Sequence, residues 1–189
     1  MIDSGAVAEA AFRLWSAKGF TNTSWAELAE ATGVSARTLL RHFPTKADIA
    51  WVGVAQATVR LRDALAETSA ASPLADAIRA GVVSSVSHHP RVQRTNPAWL
   101  RLIADEPELI AMAPRAYRPW IEELAAFLGR RVPHAPPAVC RALASTYQAA
   151  AFAALTEWAD SGARGDSADA VDTMLAWIDV RIPNAPCRT

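Results

Sequence analysis

The feature that most constrains this chain is a pair of short helical patterns joined by a glycine, between Ser24 and Lys46. Ser24 and Glu27 have the spacing of a capping box, in which each side chain satisfies a free backbone N–H at the start of a helix. Gly33 can end this helix because glycine tolerates a positive φ, and Ser35 can cap a second helix. Two helices joined in this way form a helix-turn-helix, whose second helix can lie in the major groove of DNA.

The second helical pattern carries the chemical groups that DNA binding requires. From Ser35 to Lys46 there are three fixed cations and no acid, and several hydroxyl groups can donate to phosphate oxygens. The alternative is a solvated face of an ordinary helical hairpin, which is what most charged runs are. Because the caps, the glycine turn and the acid-free cluster coincide, we predict DNA contacts by Thr23, Ser24, Ser35, Arg37, Thr38, Arg41, His42 and Lys46.

The roles of these residues follow from their places along the second helix. Arg37 and Thr38 are expected near base edges, because side chains early in a recognition helix face the groove floor. Arg41, Lys46 and the hydroxyl groups are expected at phosphates, which makes the binding strongly dependent on salt.

With these motifs the chain resembles the TetR-type family of bacterial repressors, most closely over residues 7 to 50. The turn at Pro107 and the aromatic helix after it resemble an actinobacterial branch of that family. The chain departs from the family pattern at two positions. Arg37 stands where a Gly is common, and Leu40 stands where family members often have a Tyr that contacts phosphate. An operator sequence therefore does not transfer from relatives. The matching positions are Ala10, Ala11, Leu14, Gly19, Phe20, Thr23, Leu28, Ala29, Gly33, Val34, Ser35, Thr38, Leu39, His42, Phe43 and Lys46.

Composition and resemblance together predict an all-α protein of about nine helices. The chain has 189 residues, of which 51% are hydrophobic. It shows little of the alternation of β-branched and polar residues that is typical of β-strands. The resemblance implies a three-helix DNA-binding domain at residues 1–50 and a helical ligand-binding and dimerisation domain at residues 51–189. Helical patterns in the second part run over about 45–67, 74–87, 107–131 (broken near Pro114 or Pro119), 138–160 and 167–181.

The resemblance also implies an effector cavity and a homodimer. Aromatic and apolar side chains on the helices that enclose the cavity in the family predict an apolar or aromatic small-molecule effector, although aromatic residues at helical spacing are more often simple core. The candidate ligand contacts are Trp51, Trp99, Ile103, Met112, Tyr117 and Trp120. The last two helices are predicted to pair across a dimer as a four-helix bundle, or else to pack only within one subunit; the candidates are Ala150, Ala154, Trp158, Val171, Met174, Leu175 and Ile178.

Other features narrow the class of protein. The net charge is zero, so DNA affinity must come from the local cluster. We find no catalytic motif, no metal-ligand spacing and no sign of a cofactor; the adjacent His88 and His89 point apart on a helix, and Cys140 and Cys187 read as reduced thiols. No signal peptide or membrane span is expected, which predicts a cytoplasmic protein.

The resulting prediction is a ligand-responsive transcriptional regulator rather than an enzyme. It would be a repressor that binds a palindromic operator as a dimer and is released by its effector. Two alternatives stay open: an all-α enzyme that uses the same aromatic cavity, and an interaction adaptor whose helix-turn-helix no longer binds DNA.

Overall fold

The computed structural model describes residues 2–87 and 96–178, and every regular element in these ranges is an α-helix. The predicted all-α class is therefore confirmed. Eleven helices lie in the described residues: α1 (Ser4–Lys18), α2 (Trp25–Thr32), α3 (Ala36–His42), α4 (Lys46–Ala50), α5 (Val52–Glu67), α6 (Leu74–Val86), α7 (Pro97–Asp105), α8 (Pro107–Ala116), α9 (Arg118–Arg131), α10 (Pro137–Asp160) and α11 (Ser167–Leu175).

Two breaks account for the helices beyond the nine predicted. The helix expected from residue 45 to 67 is interrupted at Trp51, whose φ of −98° and ψ of 8° end α4, so the prediction of one long helix is wrong here. The indole Nε1 of Trp51 donates to the carbonyl of Leu109 at 3.1 Å, which holds the break in place. The expected interruption of the 107–131 pattern falls at Tyr117, and Pro119 then stands in the first turn of α9, where its missing N–H leaves no helical bond unmade.

The chain forms two compact units, and the first combines Met1–Gln56 with Ala98–Tyr117. Its core contains a cluster of aromatic rings around Trp15, which is almost completely buried. The Trp15 ring lies 5.0 Å from that of Phe20, edge to face, and 6.2 Å from that of Trp99, and the Phe12 and Trp99 rings are 5.1 Å apart. These contacts bring α7 against the N-terminal helix, so the unit includes residues beyond the predicted boundary at residue 50.

The second unit comprises Ala57–Pro97 and Arg118–Thr189. Its centre is α10, which packs against α9 and α11, while α6 packs against α11. The Arg79 guanidinium on α6 forms a two-bonded ion pair with the Asp172 carboxylate on α11. Arg60 on α5 donates through Nε and Nη2 to the carbonyl of Ser85, near the end of α6 where cations are favoured.

A glycine allows α5 and α6 to approach closely in this unit. A Cβ added to Gly81 would lie 2.7 Å from Cδ2 of Leu65, so Gly81→Ala is expected to lower the free energy of unfolding by about 1–2 kcal/mol despite the better helix propensity of Ala. Gly129→Ala in α9 is the matched control, because nothing lies within 4 Å and a gain of about 0.5–1 kcal/mol is expected. Urea denaturation measures both; equal stability of the two variants would contradict the close approach.

Candidate nucleic-acid interface

The first helix of the motif begins as its sequence predicts. The Glu27 carboxylate accepts a hydrogen bond from the Ser24 backbone N–H at 2.8 Å, and the Ser24 Oγ accepts one from the Glu27 N–H at 3.3 Å. Gly33 ends α2 with a φ of 66°, in the left-handed region that favours glycine. The capping box and the glycine turn are therefore confirmed.

The second helix of the motif, α3, separates an anchoring face from an exposed face. Ser35 caps it by accepting from the Thr38 N–H at 3.2 Å. Leu39 and the C-terminal cap residue Phe43 are buried and fix the helix to its unit. The side chains on the opposite face, Arg37, Leu40 and Arg41, are exposed to solvent.

The predicted contact residues divide into an exposed set and an internal set. Of the eight, those exposed to solvent are Ser24, Ser35, Arg37, Arg41 and His42, and Thr38 is half-buried. The prediction for Thr23 needs correction, because this residue is only 2% exposed and its Oγ1 donates to the Gly19 carbonyl at 2.8 Å. A hydroxyl held in this way supports the turn between α1 and α2 instead of facing DNA.

Lys46 also has an internal role that the sequence pattern did not reveal. Its Nζ donates to the carbonyl of Phe20 at 3.0 Å and to the carbonyl of Thr23 at 2.8 Å. The same ammonium lies 4.8 Å from the centre of the Phe20 ring, within range of a cation–π interaction. The half-buried ammonium thus ties the start of α4 to the turn that leads into α2. No short-range signal could have shown this, because the partners are 23 and 26 residues away.

The Glu27 carboxylate makes the stability of this unit depend on pH. The Lys18 ammonium, and then the Ser24 N–H and hydroxyl, hold the pKa of Glu27 at about 2, below its ordinary value of 4.5. A carboxyl whose pKa falls on folding stabilises the fold above its unfolded pKa and loses that contribution as the pH drops toward the folded pKa.

We therefore expect Glu27→Gln to have a lower Tm than the wild type at pH 7. The difference should narrow as the pH falls from about 4.5 toward about 2, because the wild-type carboxylate is then protonated as well. Thermal melts across this range test the prediction, with Glu30→Gln on the exposed side of α2 as the control. A Tm difference that stays constant with pH would argue against a lowered pKa of Glu27 in the folded protein.

Two of the predicted ligand contacts lie side by side. The rings of Trp51 and Tyr117 are 5.5 Å apart in an edge-to-face arrangement, and the Trp51 indole is bonded to α8 through the Leu109 carbonyl. Burial raises the pKa of Tyr117 above its ordinary value, so its phenol stays protonated under physiological conditions. This pair joins α4 to both ends of α8 in one compact unit.

The other predicted ligand contacts are distributed more widely. Trp99 belongs to the aromatic cluster around Trp15 and so supports α1, and Ile103 is a buried core residue of the same unit. Met112 is half-buried on α8. Trp120 is buried in the second unit.

The predicted dimer residues are largely covered within the single chain. Ala154, Val171 and Leu175 are buried between α10, α11 and α6, which corresponds to the alternative of packing within one subunit. These three cannot supply an exposed interface, because their own chain already covers them. The remaining candidates, which are half-buried, are Ala150, Trp158, Met174 and Ile178. The indole Nε1 of Trp158 donates to the Arg164 carbonyl at 3.2 Å.

The exposed face of α10 instead carries small and apolar side chains. Ala142, Ala149 and Ala153 recur at intervals of seven and four residues along the 24-residue helix, and Val139 near its start is 45% exposed. A helix face of this composition permits close approach of another helix.

Histidines and cysteines were also singled out in the sequence. His88, His89 and Cys187 lie outside the described residues, and Cys140 is a buried free thiol. Within residues 2–87 and 96–178, no three His, Cys, Asp or Glu side chains are grouped so that they could hold a metal ion. In the same ranges, no helix combines the length and the apolar character needed to cross a membrane.

Two protein-family models match this chain, one near the N-terminus and one over most of the rest. Residues 7–50 match the model of the tetR family of bacterial regulatory proteins, and residues 72–183, more than half of the chain, match that of the MftR C-terminal domain. The Mycobacterium tuberculosis protein named as mycofactocin biosynthesis transcriptional regulator MftR is 30% identical over 66% of this chain; the match spans 63% of that relative, less than two thirds of its length.

Solved structures share the fold. FadR of Thermus thermophilus, a TetR-family repressor solved in complex with lauroyl-CoA, is 18% identical, with a TM-score of 0.60 over 97% of this chain and 99% of that one. The fatty acid degradation regulator FadR of Bacillus halodurans is 13% identical, with a TM-score of 0.62 over 92% and 96% of the two chains. From the matched family models, the chain belongs to the tetR family of bacterial regulatory proteins.

Proposed function

We propose that this chain is a cytoplasmic transcriptional repressor that binds a palindromic DNA operator as a homodimer and is released by an apolar small molecule. The observation that carries the proposal is the division of α3 into two faces. Buried Leu39 and Phe43 fix the helix, while Arg37 and Arg41 extend from its opposite face into solvent. A short, capped and cationic helix held in this way is suited to enter a major groove.

The electrostatics favour specific over indiscriminate binding. The whole chain has zero net charge, so attraction to DNA is confined to the α3 surface and its surroundings. Arg41 and His42 lie in the last turn of α3 and are proposed to contact phosphates, while Arg37 in its first turn is proposed to reach a base edge. In a dimer, each subunit would present one such surface to one half-site of the operator.

The effector response is proposed to act through α8. This helix packs against α4, which directly follows the recognition helix, and its two ends are held by Trp51 through the Leu109 carbonyl and the Tyr117 ring. A ligand that displaces Tyr117 would shift α4, and with it α3, inside one compact unit. Couplings of this kind typically change affinity by about 5–150-fold.

The class of effector follows from the side chains available. Trp51, Met112 and Tyr117 offer large apolar surfaces, and the fold relative FadR of Thermus thermophilus was solved with lauroyl-CoA. We therefore propose an effector that presents an apolar or aromatic group, and we place acyl-CoA thioesters, whose acyl chain is apolar, first among the compounds to test.

For the homodimer, we propose that the exposed alanine face of α10 takes the place of the buried residues. Ala153→Arg is expected to raise the dimer dissociation constant at least tenfold, because a long charged side chain would replace a methyl group at a close helix contact. Sedimentation equilibrium measures this constant. Ala126→Arg, at an exposed alanine on α9, is the matched control. An equal effect of both changes, or no effect of either, would show that the dimer interface does not involve the alanine face of α10.

The decisive test of function is selection of bound DNA from a random pool by the purified protein at near-physiological salt. Recovery of a palindrome is expected, with two half-sites at a fixed spacing. Lauroyl-CoA, whose acyl chain is apolar, and compounds that are apolar throughout are then titrated into the complex, and release of the DNA is measured by fluorescence anisotropy. Failure to enrich any sequence would count against DNA binding, whereas an operator whose affinity no apolar compound changes would count against the effector alone.

A further inference from the structure

Leu40 stands out on the recognition surface because it is a large apolar residue among polar neighbours. Its side chain is 45% exposed, on the same outward face of α3 as Arg37 and Arg41. The adjacent Leu39 is fully buried and already anchors the helix. A leucine that stays in water contributes little to folding, because the hydrophobic effect acts only on surface removed from water.

We propose that Leu40 packs against the 5-methyl group of a thymine in the major groove and so determines one base of each operator half-site. The inference rests on the proposed DNA-binding function. Leu40 is three residues after Arg37 and directly precedes Arg41. When either arginine contacts DNA, the Leu40 side chain would therefore also lie at the surface of the groove. Among the four bases, thymine is the one that presents an apolar group there.

The surroundings of Leu40 argue against a docking site for another protein. Such sites need a contiguous apolar patch of several hundred Å². In the described part of the chain, the other large exposed apolar residues lie on or after different helices: Val59 on α5, Ile110 on α8, Val139 on α10 and Trp177 after α11. A single exposed leucine on the same helix face as two arginines matches a methyl group that has hydrogen-bond acceptors beside it.

Thr38 is the competing candidate, because its methyl group could also contact thymine. This residue is half-buried, and its hydroxyl lies 2.9 Å from the Ser35 Oγ, in the cap of the helix. Leu40 extends further from the helix and is more exposed, so the geometry favours it.

Replacement of single thymines by deoxyuridine tests the inference directly, since the two bases differ by one methyl group. In the selected operator, one thymine per half-site is expected to be sensitive, with affinity about fourfold weaker for one half-site and about 15-fold weaker for both. Leu40→Ala removes the contact in both half-sites. It is therefore expected to bind the natural operator about 15-fold more weakly than the wild type and to lose no further affinity when deoxyuridine replaces thymine. Fluorescence anisotropy at fixed salt supplies the dissociation constants.

Three variants make the outcome specific. Leu40→Met keeps an apolar side chain of similar reach and should preserve the deoxyuridine penalty. Thr38→Ser removes only the competing methyl group and should also preserve it. Val59→Ala shortens an equally exposed residue on α5, where 48% exposure matches that of Leu40, and should leave binding unchanged.

The possible results separate the inference from the function on which it rests. If the selection yields no DNA, both fail. If an operator is found but tolerates deoxyuridine at every position, or if the penalty persists in Leu40→Ala, then the role of Leu40 is overturned while DNA binding stands. Loss of the penalty in Thr38→Ser alone would assign the methyl contact to Thr38 instead.

Discussion

Reversing the charges of Arg37 and Arg41 together, as Arg37→Glu with Arg41→Glu, should weaken operator binding by more than 100-fold without changing the fold. Both guanidinium groups are exposed on the outer face of α3, and neither takes part in an ion pair within the described residues. A bidentate contact to guanine is worth about 1–3 kcal/mol. Each phosphate contact adds affinity through counterion release, and a dimer would lose two contacts from each subunit. New carboxylates facing phosphates add repulsion to that loss.

The measurements needed are operator affinity by fluorescence anisotropy and Tm by circular dichroism. We expect the Tm to change little, because exposed substitutions usually alter stability by less than about 0.5 kcal/mol. The pair Arg130→Glu with Arg141→Glu, at exposed arginines on α9 and α10, gives the same change in net charge and should reduce affinity far less. Operator binding by the double variant within tenfold of the wild type would show that α3 is not the DNA-contacting helix.

Lys46→Met is expected to destabilise the DNA-binding unit by roughly 2–4 kcal/mol, the second large effect. The ammonium donates to two carbonyl groups, those of Phe20 and Thr23, and methionine would leave both without this donor in a part-buried setting. Hydrogen bonds to charged groups contribute about 1.5–3 kcal/mol each, and partial exposure reduces that figure here. Operator binding should weaken as well, because the turn before α2 is then held less firmly.

The dependence of affinity on salt separates this internal role from a direct contact with phosphate. Loss of a phosphate contact lowers the slope of log K against log salt by about 0.9 for each contact removed, whereas loss of an internal anchor leaves the slope unchanged. Arg41→Met is the comparison, expected to reduce the slope and retain the Tm, because its guanidinium is exposed. A wild-type Tm with a reduced slope in Lys46→Met would restore the phosphate contact that the sequence predicts for Lys46.

Features that depend on neighbouring residues in the chain could be predicted from the sequence. The capping box of Ser24 and Glu27, the Gly33 turn and the Ser35 cap each involve partners no more than three residues apart, and all three occur as expected. The fold class followed from the same local helical patterns together with the resemblance. Local chemistry therefore determined the motif and its outward-facing arginines.

Features that depend on distant partners could not be predicted in this way. The break at Trp51 is held by Leu109, 58 residues away, and nothing in the sequence around residue 51 indicates it. The stripe of Val171 and Leu175 correctly indicated one buried face of α11, but helical periodicity does not reveal whether the same chain or a second one covers that face. Thr23 shows a different limit: its partner, the Gly19 carbonyl, is only four residues away, but whether the hydroxyl meets this carbonyl or solvent depends on how the intervening turn folds.

The separation of inward and outward side chains on α3 has a consequence for how operators diverge among relatives. Leu39 and Phe43 hold the helix, whereas Arg37, Leu40 and Arg41 contribute little to the stability of the free protein. Duplicated copies of such a gene can therefore exchange the three outward residues and acquire new target sequences while the scaffold stays intact. The same independence makes these positions the natural choice for a library in which regulators with new, mutually insulated operators are sought.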